Sequence, residues 1–220
     1  MSLEAAPTTP PDKQELRRQL RARRRSLLPQ RDRGADGDAI AAVAGAVLDT
    51  LSLPPSRTVG LPEYDQRPCV AIYRSLPHEP PTQALATLLQ ARRTRVIVPE
   101  TLPDLDLEWR ELYADGTEGP RLGPEGIGAA YLILTPALAV DHQGTRLGQG
   151  GGSYDRALAR RRPDAVIVAI VNDDEYGAAA LPRDAHDVPV DAVITPGGGF
   201  STIPETGVSS LTRQEPGSAR

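Results

Sequence analysis

AVIVAIV, residues 165–171, runs for seven residues without a polar side chain. A strand with one wetted face alternates apolar and polar residues, so an unbroken run marks a strand covered on both faces. Working outward, the same character appears in YLILTP (131–136), DAVITP (191–196), CVAIY (69–73) and TRVIVPE (94–100), with LDLEWREL (105–112) as a further strand. Between them lie helical stretches, TQALATLLQARR (82–93) and YDRALARRR (154–162). Strands alternating with helices predict an α/β fold, a three-layer α/β/α domain with a mostly parallel central sheet. In such a sheet ligands bind at the carboxyl ends of the strands.

Two more helices precede the first strand. DKQELRRQLRARRRSLL, from Asp12, carries Leu16, Leu20 and Leu27 on one stripe, and Asp12 with Glu15 three residues later has the form of a capping box. Most of its arginines are expected to form a solvated face. Lys13 and Arg17 stand one turn apart on the same face and can grip one anion together. DAIAAVAGAVLDTL (38–51) is apolar enough for a largely buried helix. Residues 12–199 are therefore expected to form a single domain. The proline-bearing start, 1–11, and the polar end, 200–220, are expected to be disordered tails.

Composition narrows the function. The formal charge of −4 argues against a nucleic-acid surface, and no apolar run or signal region predicts a membrane anchor. The single cysteine, Cys69, excludes an intrachain disulfide and fits a reducing cytoplasm, where its apolar strand makes it an inert core thiol. Among 25 basic residues one is a lysine, Lys13. Either chance or the need for a compact, mobile point charge explains it.

RLGQGGGSYDR (146–156) then asks for a reason to order so much glycine. It fails the P-loop pattern, and Ser153 stands where a dinucleotide fingerprint needs its third glycine. The physics of a phosphate cradle still applies. Bare N–H groups can converge on an anion at the start of a helix, Arg146 can pair with phosphate, and Asp155 can hold a shared metal ion. A structural turn is the alternative.

The motif GTRLGQGGGSYDR (144–156), preceded by LAVD (138–141), resembles the GxRLGxGxGYYDR signature of the 5-formyltetrahydrofolate cyclo-ligase (methenyltetrahydrofolate synthetase) family. Lys13-x-x-x-Arg17 and IYRSLPHEPPT (72–82) stand in the family's order, and the likeness spans essentially the whole ordered chain. The resemblance implies an α/β/α scaffold of the kind also used by phospho-sugar isomerases and CoA-transferases. It implies ATP-dependent cyclisation of 5-formyltetrahydrofolate, with or without a polyglutamate tail, to 5,10-methenyltetrahydrofolate, with Mg2+ as the metal.

By the same resemblance Lys13 and Arg17 would bind ATP phosphates. Arg146, Leu147, Gly148, Gln149, Gly150, Gly151, Gly152, Ser153 and Tyr154 would wrap ATP, with Gly150, Gly152 and Tyr154 also touching folate. Arg146 and Tyr154 would act at the reacting centre, Glu79 would contact the folate, and Asp155 and Asp187 would be the magnesium-associated carboxylates. Asp191 competes with Asp187 for that role but is expected to face structure. The chain departs from the pattern at Ser153, where an aromatic is usual, and at Gln149 and Gly151, where a basic residue is common. The protein is expected to be a monomer or weak homodimer.

The chemistry explains such a site. An N-formyl oxygen is a poor leaving group until phosphorylated, after which N10 of the same substrate closes the ring. The step needs orientation and cations more than a protein nucleophile. Rival readings are an isomerase or transferase on the same scaffold, a weakened folate-binding relative, and a nucleic-acid arm in the arginine helix.

Overall fold

The computed structural model describes residues 12–51 and 67–204. In chain order the elements are α1 (Lys13–Leu27), α2 (Arg33–Thr50), β1 (Cys69–Ala71), α3 (Gln83–Ala91), β2 (Arg95–Thr101), β3 (Leu107–Leu112) and β4 (Glu118–Arg121). There follow β5 (Leu132–Pro136), β6 (Ala139–Asp141), β7 (Arg146–Leu147), α4 (Ser153–Ala159), β8 (Val166–Ile170), β9 (Tyr176–Ala178), β10 (Ala192–Thr195) and β11 (Gly199–Thr202). The main sheet runs β11-β10-β8-β5-β1-β2-β3-β4. Its inner five strands, β10, β8, β5, β1 and β2, are parallel.

Both faces of those inner strands are dry. Along β8, Ile167 and Ala169 enter one apolar cluster, and Val168 and Ile170 enter the other. One cluster is closed by Ile40, Ala41 and Ala44 of α2 with Leu85, Ala86 and Leu89 of α3. The opposite one is closed by Ala157 and Leu158 of α4, Ile127 of the short helical turn Pro124–Ala129, and Val140 of β6. Each fully buried Val, Leu or Ile contributes about 1.5–3 kcal/mol, so this double cover is the main stabilising term. Cys69 is fully buried in it, as expected of a core thiol.

Several expectations need correction. The segment read as LDLEWREL does not extend the parallel array: β3 pairs antiparallel with β2, and β4 with β3. The link between β2 and β3 is residues 102–106, too short for the crossover that parallel pairing requires. A further strand that the sequence did not suggest follows DAVITP, because β11 folds back antiparallel on β10. The expected domain boundary at 199 thus falls inside β11; the segments 1–11 and 205–220 lie outside the described residues.

The capping box at Asp12 does not form. Asp12 makes no side-chain cap bond, and Glu15 accepts instead from Arg18 and Gln19. The second helix starts earlier than its apolar pattern suggests. Asp32 Oδ1 accepts from the Gly34 and Ala35 N–H groups and caps α2 there.

A second, small sheet, β7-β6-β9, carries the glycine stretch. Its β6–β7 hairpin is fixed by Asp141, which is buried. Asp141 Oδ1 accepts from the Gln143 and Thr145 N–H groups, and Oδ2 from Leu181 N–H. Gly144 turns this hairpin with φ +78°, and a Cβ there would come within 2.5 Å of the Val190 carbonyl, so no other residue fits. Helix α1 lies against this sheet through Leu16 and Leu20, which meet Ala139, Leu147 and Leu181.

Candidate active site

β2 lies on one side of β1 and β5 on the other, so the chain reverses its direction of winding there. A crevice must open at the carboxyl ends of β1 and β5. The structure has a cleft of about 550 Å³ at that place, bounded by Tyr73 and Arg74 just past β1 and by Pro136 and Ala137 at the end of β5. Every site residue expected from the sequence lines it: Lys13 and Arg17 from α1, Glu79 from the loop after β1, residues 146–155 in full, and Asp187.

The N-terminal helix closes over the glycine stretch. Arg17 Nε donates to the Gly148 carbonyl at 3.1 Å, and Arg21 donates to the Gln149 side-chain and backbone oxygens at 2.9 and 2.6 Å. Gly150 has φ +104° and packs under the Arg17 guanidinium, while Gly152, with φ +68°, is the N-cap of α4. These two left-handed positions give the loop its path, and a side chain at either would be strained. Helix α4 is short, so the N–H groups of the loop, more than the helix dipole, supply its positive character.

Two cations at the cleft are paired with carboxylates. Arg146 Nη2 donates to Asp155 Oδ1 at 2.5 Å, and Lys13 Nζ donates to Asp187 Oδ2 at 2.8 Å and Asp184 Oδ2 at 2.6 Å. Burial works to raise the Asp187 carboxyl, but the Asp184 N–H and the Lys13 ammonium outweigh it and hold it below the ordinary carboxylate value. For Lys13, burial works downward, and the bonds to Asp184 and Asp187 prevail and raise it. The two carboxylates expected to share a metal are thus held apart on separate cations. Among the described residues, the group whose ligand atoms lie within 4.8 Å of one another is Asp184, His186 and Asp187, without Asp155.

Asp191 faces structure, as expected, accepting from Ile167 N–H at 2.8 Å. His186 is exposed, 3.8 Å from Asp187, which agrees with a surface histidine.

Deeper in the cleft, Tyr154 packs into both apolar clusters, and its buried hydroxyl has no partner among the described residues. Burial, with the Glu79 charge added, pushes its phenol far above the ordinary value, so it stays protonated. The Arg146 guanidinium lies 5.9 Å from the ring centre. Arg146 Nε is likewise buried without a partner among the described residues. Glu79 is buried, and its Oε2 accepts from Leu76 N–H at 3.0 Å. A protonated phenol, a guanidinium with a spare donor and a buried carboxylate converge on one wall, an arrangement suited to holding a polar heterocycle and a developing anion.

Sequence reasoning missed Arg74, Leu76, Asp184 and Arg21. Asp184 had a signal, since it shares a short acidic segment with Asp187. Arg21 had one too, lying one turn beyond Arg17.

The match to known proteins agrees with this geometry. The 5-formyltetrahydrofolate cyclo-ligase family matches residues 9–196. A 5-formyltetrahydrofolate cyclo-ligase of Mycolicibacterium smegmatis is 37% identical over 150 residues, covering 61% of this chain and 76% of that protein. One of Haemophilus influenzae is 27% identical over 148 residues, covering 60% and 78%. Among solved structures, the 5,10-methenyltetrahydrofolate synthetase of Mycoplasma pneumoniae superposes with a TM-score of 0.62 at 18% identity, over 83% of this chain and 98% of that one. The Aquifex aeolicus 5,10-methenyltetrahydrofolate synthetase gives 0.59 at 23% identity, over 88% and 93%. At these identities the two structures speak for the fold, and the family match speaks for kinship. The chain belongs to the 5-formyltetrahydrofolate cyclo-ligase family.

Proposed function

We propose how this chain carries out the reaction of its family, the ATP-dependent conversion of 5-formyltetrahydrofolate to 5,10-methenyltetrahydrofolate. The observation that carries the proposal is the single cleft in which Lys13, Arg17, the glycine loop, Glu79 and Tyr154 meet. Lys13 and Arg17 attract the ATP phosphates from above, and loop N–H groups receive them from below. Glu79 and Tyr154, buried against the core, orient the folate. The formyl oxygen takes the γ-phosphoryl group and ADP leaves. N10 then attacks the activated carbon, the C–O bond breaks to release phosphate, and the N10 proton is lost. Arg146, with a donor to spare, neutralises charge developing on the transferred group.

Asp155 and Asp187 present hard oxygen donors of the kind magnesium takes, and both face the cleft, so the residues fit the metal the family implies. They would hold it with the nucleotide, where it would screen the phosphate charge. Lys13 and Arg146 now occupy those carboxylates.

The test is the absorbance of the methenyl product from 5-formyltetrahydrofolate with and without MgATP. Product that appears in the presence of MgATP and not in its absence is expected, and its absence would remove this reading. The serine at 153 favours one second reading, a relative that binds folate with little turnover. Calorimetric folate binding without product would select it.

A further inference from the structure

Arg24 lies in the run Arg23-Arg24-Arg25, yet its side chain is 1% exposed and that of its partner Glu175 is 4%. Its Nε and Nη2 donate to the two Glu175 oxygens at 2.6 and 2.7 Å, and Nη2 also donates to the Ala137 carbonyl at 2.5 Å. Glu175 Oε2 also accepts from the backbone and side-chain nitrogens of Asn172. Nη1 is buried with no partner among the described residues. A buried ion pair is a poor source of stability, because desolvation offsets its attraction, and here one donor goes unused as well. Geometry supplies a better reason for it.

Lys13, Arg17, Leu20 and Arg24 follow one another at i, i+4, i+7 and i+11, so they share one face of α1. Ala137, one residue past β5, lines the cleft, and Asn172 stands two residues past β8. Arg24 therefore pins the end of α1 to the rim from which the cleft is built. At that end the other tie is the more exposed pair of Arg23 with Asp174, at 3.2 Å, since the apolar contact of α1 with the small sheet is made by Leu16 and Leu20. From Arg24 to Lys13 the helix rises about 16 Å, so a tilt of roughly 10° would carry Lys13 about 3 Å out of place.

We propose that the buried Arg24–Glu175 pair is a positioning device that sets the angle and register of α1, and thereby places Lys13 and Arg17 on the nucleotide. This rests on the reading of Lys13 and Arg17 as the ATP clamp. Displacement of that size weakens a phosphate clamp without touching the folate wall.

The test compares wild type with R24M/E175Q, R24K and K13A, measuring KM for ATP, kcat, folate affinity and thermal unfolding. R24M/E175Q removes both charges together, and the glutamine oxygen can still accept from Asn172. It is expected to raise the ATP KM about tenfold or more while folate affinity and kcat at saturating ATP stay within about twofold. R24K, which keeps the charge, is expected to recover part of the loss and covers the case in which the double variant does not fold. A folded double variant with wild-type ATP KM, or equal loss for both substrates, overturns the inference. An R24K enzyme with no selective ATP defect overturns it where R24K alone can be measured. K13A separates the two levels. If K13A raises the ATP KM and the double variant does not, the inference alone fails. If K13A leaves the ATP KM unchanged, the clamp reading fails and the inference with it.

Discussion

On one side of the sheet α2 and α3 press Ile40, Leu85 and Leu89 into the apolar cluster over β1, β2, β5, β8 and β10, with polar ties such as Gln90 to the Leu112 carbonyl at its edge. On the cleft side, α1 touches the small sheet through a few leucines and is otherwise held by charge: Lys13 on Asp184 and Asp187, Arg17 and Arg21 on the glycine loop, Arg24 on Glu175. Apolar burial has no substitute partner in water, so the first layer stays shut. Ion pairs and carbonyl contacts can be exchanged for phosphate oxygens. The Lys13, Arg17 and Arg21 contacts are thus of a kind that the proposed nucleotide can take over, while the buried Arg24–Glu175 pair is not, and on that reading binding and stability are carried by different parts of one small domain.

Breaking the apolar layer should give the largest effect. Leu85→Ala, at a fully buried position, is expected to lower unfolding free energy by about 2–5 kcal/mol while the ATP KM of the folded fraction stays near wild type. Denaturant unfolding and steady-state kinetics check the two halves. An ATP-selective defect in this variant would show that the layers are coupled.

Next comes the wall proposed to hold folate. Glu79→Gln retains an acceptor for Leu76 N–H and removes the charge, so folate affinity is expected to fall about tenfold to a hundredfold with little change in melting temperature. Binding calorimetry reads it, and unaltered affinity would move the folate contact elsewhere.

The smallest effect concerns the loop beside Gly151. The bond from Arg160, at 2.6 Å, holds the Asp106 carboxyl below its ordinary value, with burial acting against it. A carboxyl lowered in the folded state contributes stability that is present above the unfolded value near pH 4 and is lost as pH falls through the folded one. Asp106→Asn should therefore flatten the acid limb of melting temperature against pH and leave neutral activity unchanged. A wild-type acid limb in the variant would assign that loss to other carboxylates.

The inner strands were legible because burial on both faces demands unbroken apolar runs, which show plainly in AVIVAIV and YLILTP. The glycine loop was legible because its composition fits little else. The strands that escaped are short and carry no period: β4 reads EGPR, β7 is two residues long, and β11 reads GFST, opening on the last of three glycines. Among the site residues, Asp187 could be chosen over Asp191 through the family pattern alone. Asp191 proved to be tied to the backbone of β8.

From the chain alone came the layered α/β class, the direction of the cleft and the residue types that fill it, since periodicity and local chemistry act over a few residues. Partner choice came with folding. Nothing in Arg23-Arg24-Arg25 marks the middle arginine for burial against Glu175, 151 positions away, or sets Asp155 against Arg146 and Asp187 against Lys13. Those pairings depend on which side chains the packed sheet and α1 bring within 3 Å of each other. An ion pair's energy depends on that distance and on the water excluded around it, and both arise only when the chain has closed.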